Sequence, residues 1–329
     1  MEKIYNCLNR LGHISTKQFQ IALDRFNLGK LIQVEPVRLG FFEQNVFLYT
    51  TKGNYVLRGS PLHSWQFPKE VFFSKLLHEK TEAPIPWPYL HDPMNDIFGW
   101  DYVIMPLMPG ISLISKQLKL KRKFEDNKAI AWAMGRALYD LHELKWSYSG
   151  IFDRVNYNIQ AVDYKDWFIS SIYYTISITK KMNDSDIDWV MTQISKYHEA
   201  IENNFQPCFV MMDFGEHNVV ATNNDGKWHI SGIFDYMPAY FGDGEADFSR
   251  IISSYIDEYP EIVPLFLDSY IKNSNFRPNF EERFILYMLK DRLLIWQHGQ
   301  NNCKHGIWWD KDITFKEWIQ KYIRLDWRH

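Results

Sequence analysis

Cysteine is scarce in this chain, long apolar runs are missing, and neither sign of charge dominates. The three cysteines, Cys7, Cys208 and Cys303, are odd in number, far apart and without metal-ligand spacing. That pattern argues against a disulfide framework or a zinc site, so a reducing compartment is expected. No stretch supplies the ~18 uncharged apolar residues that span a bilayer, and "MEKIYNCLNRLGHIS" carries charge where a signal peptide needs an apolar core. We therefore expect a cytoplasmic protein with no membrane partner. Lys and Arg total 37 against 40 Asp and Glu, a formal net charge of −3. Without a clustered basic face, nucleic acid is not an expected partner either. Internal repeats and low-complexity tracts are also missing, which argues against a repeat architecture.

Apolar material is plentiful: 46% of residues are hydrophobic and 17% aromatic, ample for a buried core. A chain of 329 residues is long for one simple core, and two lobes are expected, over residues 1–105 and 106–329. "QVEPVRL", "NVFLYTT" and, after a Lys52-Gly53 turn, "NYVLRGS" read as an antiparallel meander. Pro68 suits the first turn of a helix running through "KEVFFSKLLHEK". Pro84, Pro86 and Pro88 then break the chain, and "WDYVIMPLMPG" gives one more strand before a connector. Beyond it, "NKAIAWAMGRALYDLHEL" sets Ile130, Met134, Leu138 and Leu141 on one helical stripe. The apolar spacing stays mostly helical over residues 160–204 and 249–326, with short strands expected only around residues 208–236. The expected fold class is α+β, with a small antiparallel-sheet lobe carrying one helix and a larger, mainly helical lobe.

The segment "CFVMMDFGEHNVVATNNDGKWHISGIFDY", residues 208–236, carries the chemistry. Asn218 stands five positions after Asp213, with Gly215 in the bend between them. Asp235 ends the second strand of a hairpin turned by "NNDG", which brings it back beside Asn218. Carboxylate and carboxamide oxygens are ligands that Mg²⁺ takes alongside substrate phosphates, and a carboxylate left off the metal can accept a hydroxyl proton. Each residue alone could simply cap a turn or end a strand. Together, D-x-x-x-x-N followed by D across a hairpin is the kinase catalytic-loop pattern.

"MDFGEHNVVA", "IFDY" and "FGDGEADFSR" resemble the aminoglycoside phosphotransferase and choline kinase family, whose fold is protein-kinase-like. The resemblance spans roughly residues 33–300. It implies that Asp213 is catalytic beside the acceptor hydroxyl, that Asn218 and Asp235 hold Mg²⁺, and that ATP or GTP is the donor. Gly242, Asp243 and Asp247 match the family's G-D-x-x-x-D and are read as support for the loop. In the first lobe it implies a phosphate-covering hairpin "RLGFFEQNVF" with Gly40, and Arg58 on the phosphates with Glu70 orienting it. The base then meets backbone groups around Met105 and Leu107. His142 also matches, and a lone helical His is read as structural. In one departure, Met211 and Met212 stand where the family usually has His-Gly or a similar pair before the catalytic Asp. Met fills irregular gaps readily, and the proton and metal groups are retained, so an active enzyme is expected.

The implied activity is transfer of the γ-phosphoryl of a nucleoside triphosphate to a hydroxyl of a small molecule, first of all an aminoglycoside-like antibiotic. Macrolides, choline and sugars are the other acceptors weighed. Asp257, Glu258, Glu261 and Asp268 offer acidic groups to amines, and Trp296, Trp308 and Trp309 offer aromatic surface. A noncatalytic nucleotide-binding protein is the alternative. A protein kinase ranks last, since no Ala-Pro-Glu segment follows "FDY". A monomer or dimer is expected.

Overall fold

Residues 31–36 and 45–59 carry strand-forming apolar residues, and they fold as antiparallel strands beside a preceding helical cap. The computed structural model describes residues 3–37, 45–179, 182–272, 276–301 and 312–324. It opens with β1 (Ile4–Asn6), α1 (Leu8–Leu11), β2 (His13–Ser15) and α2 (Thr16–Arg25). There follow β3 (Leu31–Pro36), β4 (Asn45–Thr50), β5 (Asn54–Gly59), α3 (Gln66–Lys80), β6 (Leu90–Asp92) and β7 (Tyr102–Pro106). β3 to β7 form one antiparallel sheet in the order β3-β4-β5-β7-β6. Successive side chains on a strand point to opposite faces. Leu57 therefore joins Val46, Leu48 and Ile104 under α2, while Val56 joins Phe67, Tyr89 and Val103 on the other face. With both faces covered, β5 is buried from Val56 through Gly59, and Arg58 shares the face of Val56.

The helical cap adds to the single helix expected for this part of the chain. α2 starts in a capping box: Ser15 Oγ accepts from Gln18 N at 3.3 Å and Gln18 Oε1 accepts from Ser15 N at 3.0 Å. Its Phe19, Ala22 and Leu23 are fully buried against the outer face of the sheet. Arg25, in its last turn, pairs with Asp92 and, at 2.7 Å, with Asp96.

The remaining elements are β8 (Ile111–Ser112), α4 (Lys116–Lys119), α5 (Phe124–His142), β9 (Gly150–Phe152), β10 (Ile159–Ala161), α6 (Tyr164–Ile178) and α7 (Asp184–Tyr197). β11 (Cys208–Val210), β12 (Val219–Asn224), β13 (Lys227–Ile233) and β14 (Tyr240–Gly242) follow. The chain closes through α8 (Phe248–Glu258), α9 (Val263–Ile271), α10 (Phe280–Asn301) and α11 (Phe315–Ile323). Strands here are not confined to residues 208–236 as expected. β10-β9-β14-β11 form a second sheet and β13-β12-β8 a third; strands of two or three residues carry too little periodicity to be read from sequence. Ile130, Met134, Leu138 and Leu141 of α5 are all fully buried. Gly135 lets α9 close on α5, because a Cβ there would strike Ser269 and the Phe266 carbonyl.

The main core does not stop at the sheet. Phe73 and Leu77 of α3 belong to it, and the Phe73 ring lies 5.3 Å from Phe209 and 5.6 Å from Phe241 between centroids. Cys7 and Cys208 are buried free thiols, and Cys303 lies outside the described residues. Among the described residues no helix is long and apolar enough to cross a membrane. Because Phe19 is wholly enclosed between α2 and the sheet, Phe19→Ala should lower unfolding free energy by about 3–5 kcal/mol in urea denaturation. A loss under about 1 kcal/mol would show that the cap is not part of the cooperative fold.

Candidate active site

The site begins with a two-residue turn. Asp225 and Gly226 have φ of 52° and 82°, the left-handed pair that closes a tight hairpin between β12 and β13. The hairpin returns Phe234 N to within 3.0 Å of Asn218 O. Asp235 thus leaves β13 at the end of the hairpin where Asn218 enters β12, with φ of 69°. Such a conformation is uncommon outside glycine and is tolerated by Asp.

Asn218 in turn grips Asp213. Its Nδ2 donates to the Asp213 carbonyl at 2.9 Å and to Asp213 Oδ2 at 3.2 Å, which turns Oδ1 of the amide the other way. Asp213 Oδ1 also lies 3.1 Å from His217 Nε2 and 3.3 Å from Arg250 Nε. Burial pushes the Asp213 carboxyl up, but Arg250, His217 and the Asn218 amide outweigh it and hold the carboxyl down at about 2. Arg250 is itself anchored 3.0 Å from Asp291 Oδ1 on α10.

On the sheet side, Arg58 NH1 donates to Glu70 Oε2 at 3.1 Å, and its NH2 lies 3.7 Å from Asp235 Oδ2. Glu70 is fully buried and accepts further bonds from Tyr89 OH at 2.9 Å and Gln66 Nε2 at 3.2 Å. Burial pushes its carboxyl up against the opposing pull of Arg58. Arg58 Nε is buried with no hydrogen-bond partner. Such an orphaned donor in a cationic group suits an incoming phosphate oxygen.

Five of the expected site residues therefore lie together: Asp213 meets Asn218, Asn218 O meets the amide of Phe234 beside Asp235, and Asp235 meets Arg58, which pairs with Glu70. Of the other three, Met105 and Leu107 make none of these contacts. Gly40 lies outside the described residues. Leu107 N already donates to Asn54 O at 2.9 Å, and antiparallel alternation turns Met105 toward Val56 of β5 in the same way. The expected base contact is with backbone groups around Met105 and Leu107, and the Pro106 carbonyl and Met108 amide of the same connector are the neighbouring groups proposed for it.

The loop support follows the expectation. Asp247, 1% exposed, accepts Met211 N at 2.7 Å on Oδ2 and Met212 N at 2.6 Å on Oδ1. His142 Nε2 lies 3.2 Å from the same Oδ2, and its Nδ1 lies 2.8 Å from Tyr270 OH. Met212 has φ of 68°, and the Met211 side chain is fully buried in the core. Asp243 accepts from Glu245 N at 3.1 Å and from Tyr287 OH at 2.5 Å, and pairs with Arg277.

Two expectations about acceptor surface change. Trp296 is buried against Phe315 and Trp318, so it is no surface, and Trp308 and Trp309 lie outside the described residues. Among the acids, Asp257 pairs with Lys321 and Glu258 with Lys119, while Glu261 and Asp268 are exposed. Sequence reasoning missed Arg250, Asp291, His217 and Tyr89: Arg250, Asp291 and Tyr89 lie far along the chain from residues 213 and 70, whereas the four-residue spacing of His217 from Asp213 was a signal that could have found it.

Among the described residues no three His, Cys, Asp or Glu side chains converge to hold a metal. Mg²⁺ needs less: one or two carboxylate or amide oxygens together with phosphate and water. Asn218 Oδ1 and the Asp235 carboxylate fit that donor set, since among the described residues Asp235 is touched only by Met237 N at 3.5 Å and Arg58 at 3.7 Å.

A five-stranded sheet with a buried Arg–Glu pair, joined through a connector to a helical part with this loop, is the protein-kinase-like arrangement. The model of the phosphotransferase enzyme family matches residues 33–281, and the chain belongs to that family. Solved structures agree on the fold. A ternary complex of a mutant aminoglycoside phosphotransferase APH(4)-Ia with ADP and hygromycin B aligns at TM-score 0.63 and 14% identity, over 92% of this chain and 95% of that one. The GDP complex of aminoglycoside 2′-phosphotransferase-IIIa aligns at 0.64 and 14%, over 90% and 94%. The GDP and kanamycin complex of APH(2″)-IIIa aligns at 0.62 and 14%, over 88% and 93%. No curated protein matches.

The depressed Asp213 value has a sign that can be checked. Its stabilising contribution is present above the ordinary carboxylate value and is lost as pH falls through about 2. In a carboxyl NMR titration Asp213 should stay ionised to about pH 2, and Arg250→Gln should move its midpoint upward. A wild-type midpoint at the ordinary value near 3.9 would refute the ion-pair geometry.

Proposed function

We propose that this protein transfers the γ-phosphoryl group of ATP or GTP to a hydroxyl of a small molecule, with Asp213 as the residue that orients and deprotonates that hydroxyl. The observation that carries the proposal is the run of contacts from Asp213 to Asn218, from Asn218 O to the amide of Phe234 beside Asp235, and from Asp235 to Arg58 and Glu70. It spans the two groups of residues that a phosphoryl transfer needs, one at the acceptor oxygen and one at the donor phosphates.

Glu70 holds the Arg58 guanidinium in place, and its planar fork with a free Nε is suited to phosphate oxygens. Asn218 and Asp235 are the proposed Mg²⁺ ligands; when bound, the ion neutralises charge developing on the phosphate oxygens. Asp213 stays ionised at neutral pH, so it can always accept a proton. Its low value makes it a weak base, and its contribution is chiefly alignment of the hydroxyl, with the proton moving late in a loose transition state. Arg250 and His217 fix that carboxylate, and Asp247 fixes the backbone that carries it. The base is read by the Pro106 carbonyl and Met108 amide edge of the connector.

For the acceptor, an aminoglycoside-like polyol is the first choice. The family membership supports it, as do the similar structures that hold hygromycin B and kanamycin. The packed role of Met211 and the two amide bonds to Asp247 favour an active loop over a dismantled one.

The decisive experiment measures acceptor-dependent release of nucleoside diphosphate across aminoglycosides, macrolides, choline and sugars, with both nucleotides. Turnover on one class is expected; saturable nucleotide binding with silence throughout would establish a noncatalytic nucleotide-binding protein instead. With an active acceptor in hand, Asp213→Asn should lower kcat by about 10²–10⁴ while nucleotide affinity changes little. Undiminished turnover in that variant would remove Asp213 from its role.

A further inference from the structure

Among the described residues, Lys69 and Arg154 are two cations without a counter-ion. Lys69 lies on α3 beside Glu70 and is 8% exposed. Among the described residues it forms no ion pair and no hydrogen bond through Nζ. Arg154 lies in the turn between β9 and β10, and its Cζ stands 4.3 Å from the centroid of the Trp65 ring. Lys69 Nζ stands 5.9 Å from the same centroid, so one indole connects the two cations.

Each cation has an acid as its chain neighbour, and each acid is engaged elsewhere. Glu70 accepts from Arg58, Tyr89 and Gln66. Asp153 is folded into its own turn, accepting from Val155 N at 2.8 Å, Asn156 N at 3.2 Å and Asn156 Nδ2 at 2.6 Å.

Aromatic contacts do not compensate Lys69 either. Its rings, Trp65, Phe73 and Phe152, lie at 5.8–5.9 Å, the outer edge of a useful cation–π distance. Lys290, the other buried lysine of this kind, is different: Trp167 and Phe168 approach its Nζ to 4.4 and 4.7 Å, and Tyr240 completes the cage. Burial, the nearby Arg154 charge and the weak pull of Glu70 leave the Lys69 amine at about 7. A buried cation facing another cation is costly until an anion joins them.

We propose that Lys69, Arg154 and Trp65 frame a binding site for a small oxyanion, phosphate or carboxylate, where α3 meets the β9–β10 hairpin. The start of α3 favours the same charge, since Trp65 at its N-cap offers no side-chain acceptor to the first amides. An anion there ties the helix that carries Glu70 to a hairpin of the second sheet. Occupancy would stiffen the mounting of Arg58 without touching the proposed reacting groups.

Calorimetric titration with inorganic phosphate, and separately with acetate, tests the site in wild type, Lys69→Met, Arg154→Gln and Arg154→Lys. Saturable binding of at least one anion is expected, weakened about tenfold or more by Lys69→Met and by Arg154→Gln through loss of a charge-assisted bond. Arg154→Lys should retain part of it, and the anion that binds identifies the source. Arg154 is exposed, so its variants test the site even if Lys69→Met does not fold. No saturable binding by wild type, or equal affinities in wild type and Arg154→Gln, would overturn the proposal; the comparison also separates this site from any anion held by Arg58.

Discussion

One buried carboxylate holds the loop on which the site depends. Asp247 accepts both amides of Met211 and Met212, one on each oxygen, and keeps His142 on the same side. Without that double acceptor, two buried amides at a left-handed residue would be left unpaired, at about 1–3 kcal/mol each. The carboxylate enforces the φ of 68° at Met212 and thereby aims the next residue, Asp213, out of the core. The family's usual His is replaced by Met without loss of this support, because the hydrogen bonds come from backbone amides and the side chain only has to fill space.

The electrostatics are arranged in two coupled pairs. Arg58 and Glu70 form a buried pair whose desolvation is offset by Tyr89 and Gln66 on the carboxylate. Removing either partner would leave an uncompensated charge, at about 3–5 kcal/mol. Arg250 and Asp291 form the second pair, and Asp213 joins it at 3.3 Å. Asp235 and Asn218 lie between these pairs, with oxygens that protein groups hardly engage. That contrast, saturated carboxylates at the edges and open ones in the middle, is what a site for a cation and phosphates requires.

The legible parts of the sequence were those with long periodicity or a fixed turn. The meander of β4 and β5, the α5 stripe and the hairpin around Asp225-Gly226 follow from two-residue or helical spacing and a turn that demands left-handed residues. That hairpin made Asn218 and Asp235 neighbours on paper and in the fold. Three kinds of feature stayed hidden. Strands of two or three residues, such as β9 and β14, lack a period. The α2 cap shows a helical pattern but nothing that says which face of the sheet it covers. Tertiary partners such as Arg250, Asp291 and Tyr89 are chosen by packing across tens of residues. The engagement of the Leu107 amide was hidden for a related reason: which edge a strand residue presents depends on register, and Asn54 O fixes that register.

The proposed function rests on Asn218 and Asp235 receiving a divalent ion beside Asp213. A crystal structure with a non-hydrolysable ATP analogue and magnesium tests this most directly. The account predicts metal density at about 2.0–2.1 Å from Asn218 Oδ1 and an Asp235 oxygen, with Arg58 on the phosphates and Asp213 free of the metal. Nucleotide bound with the metal on other residues, or with Asp235 turned out of the cleft, would contradict it.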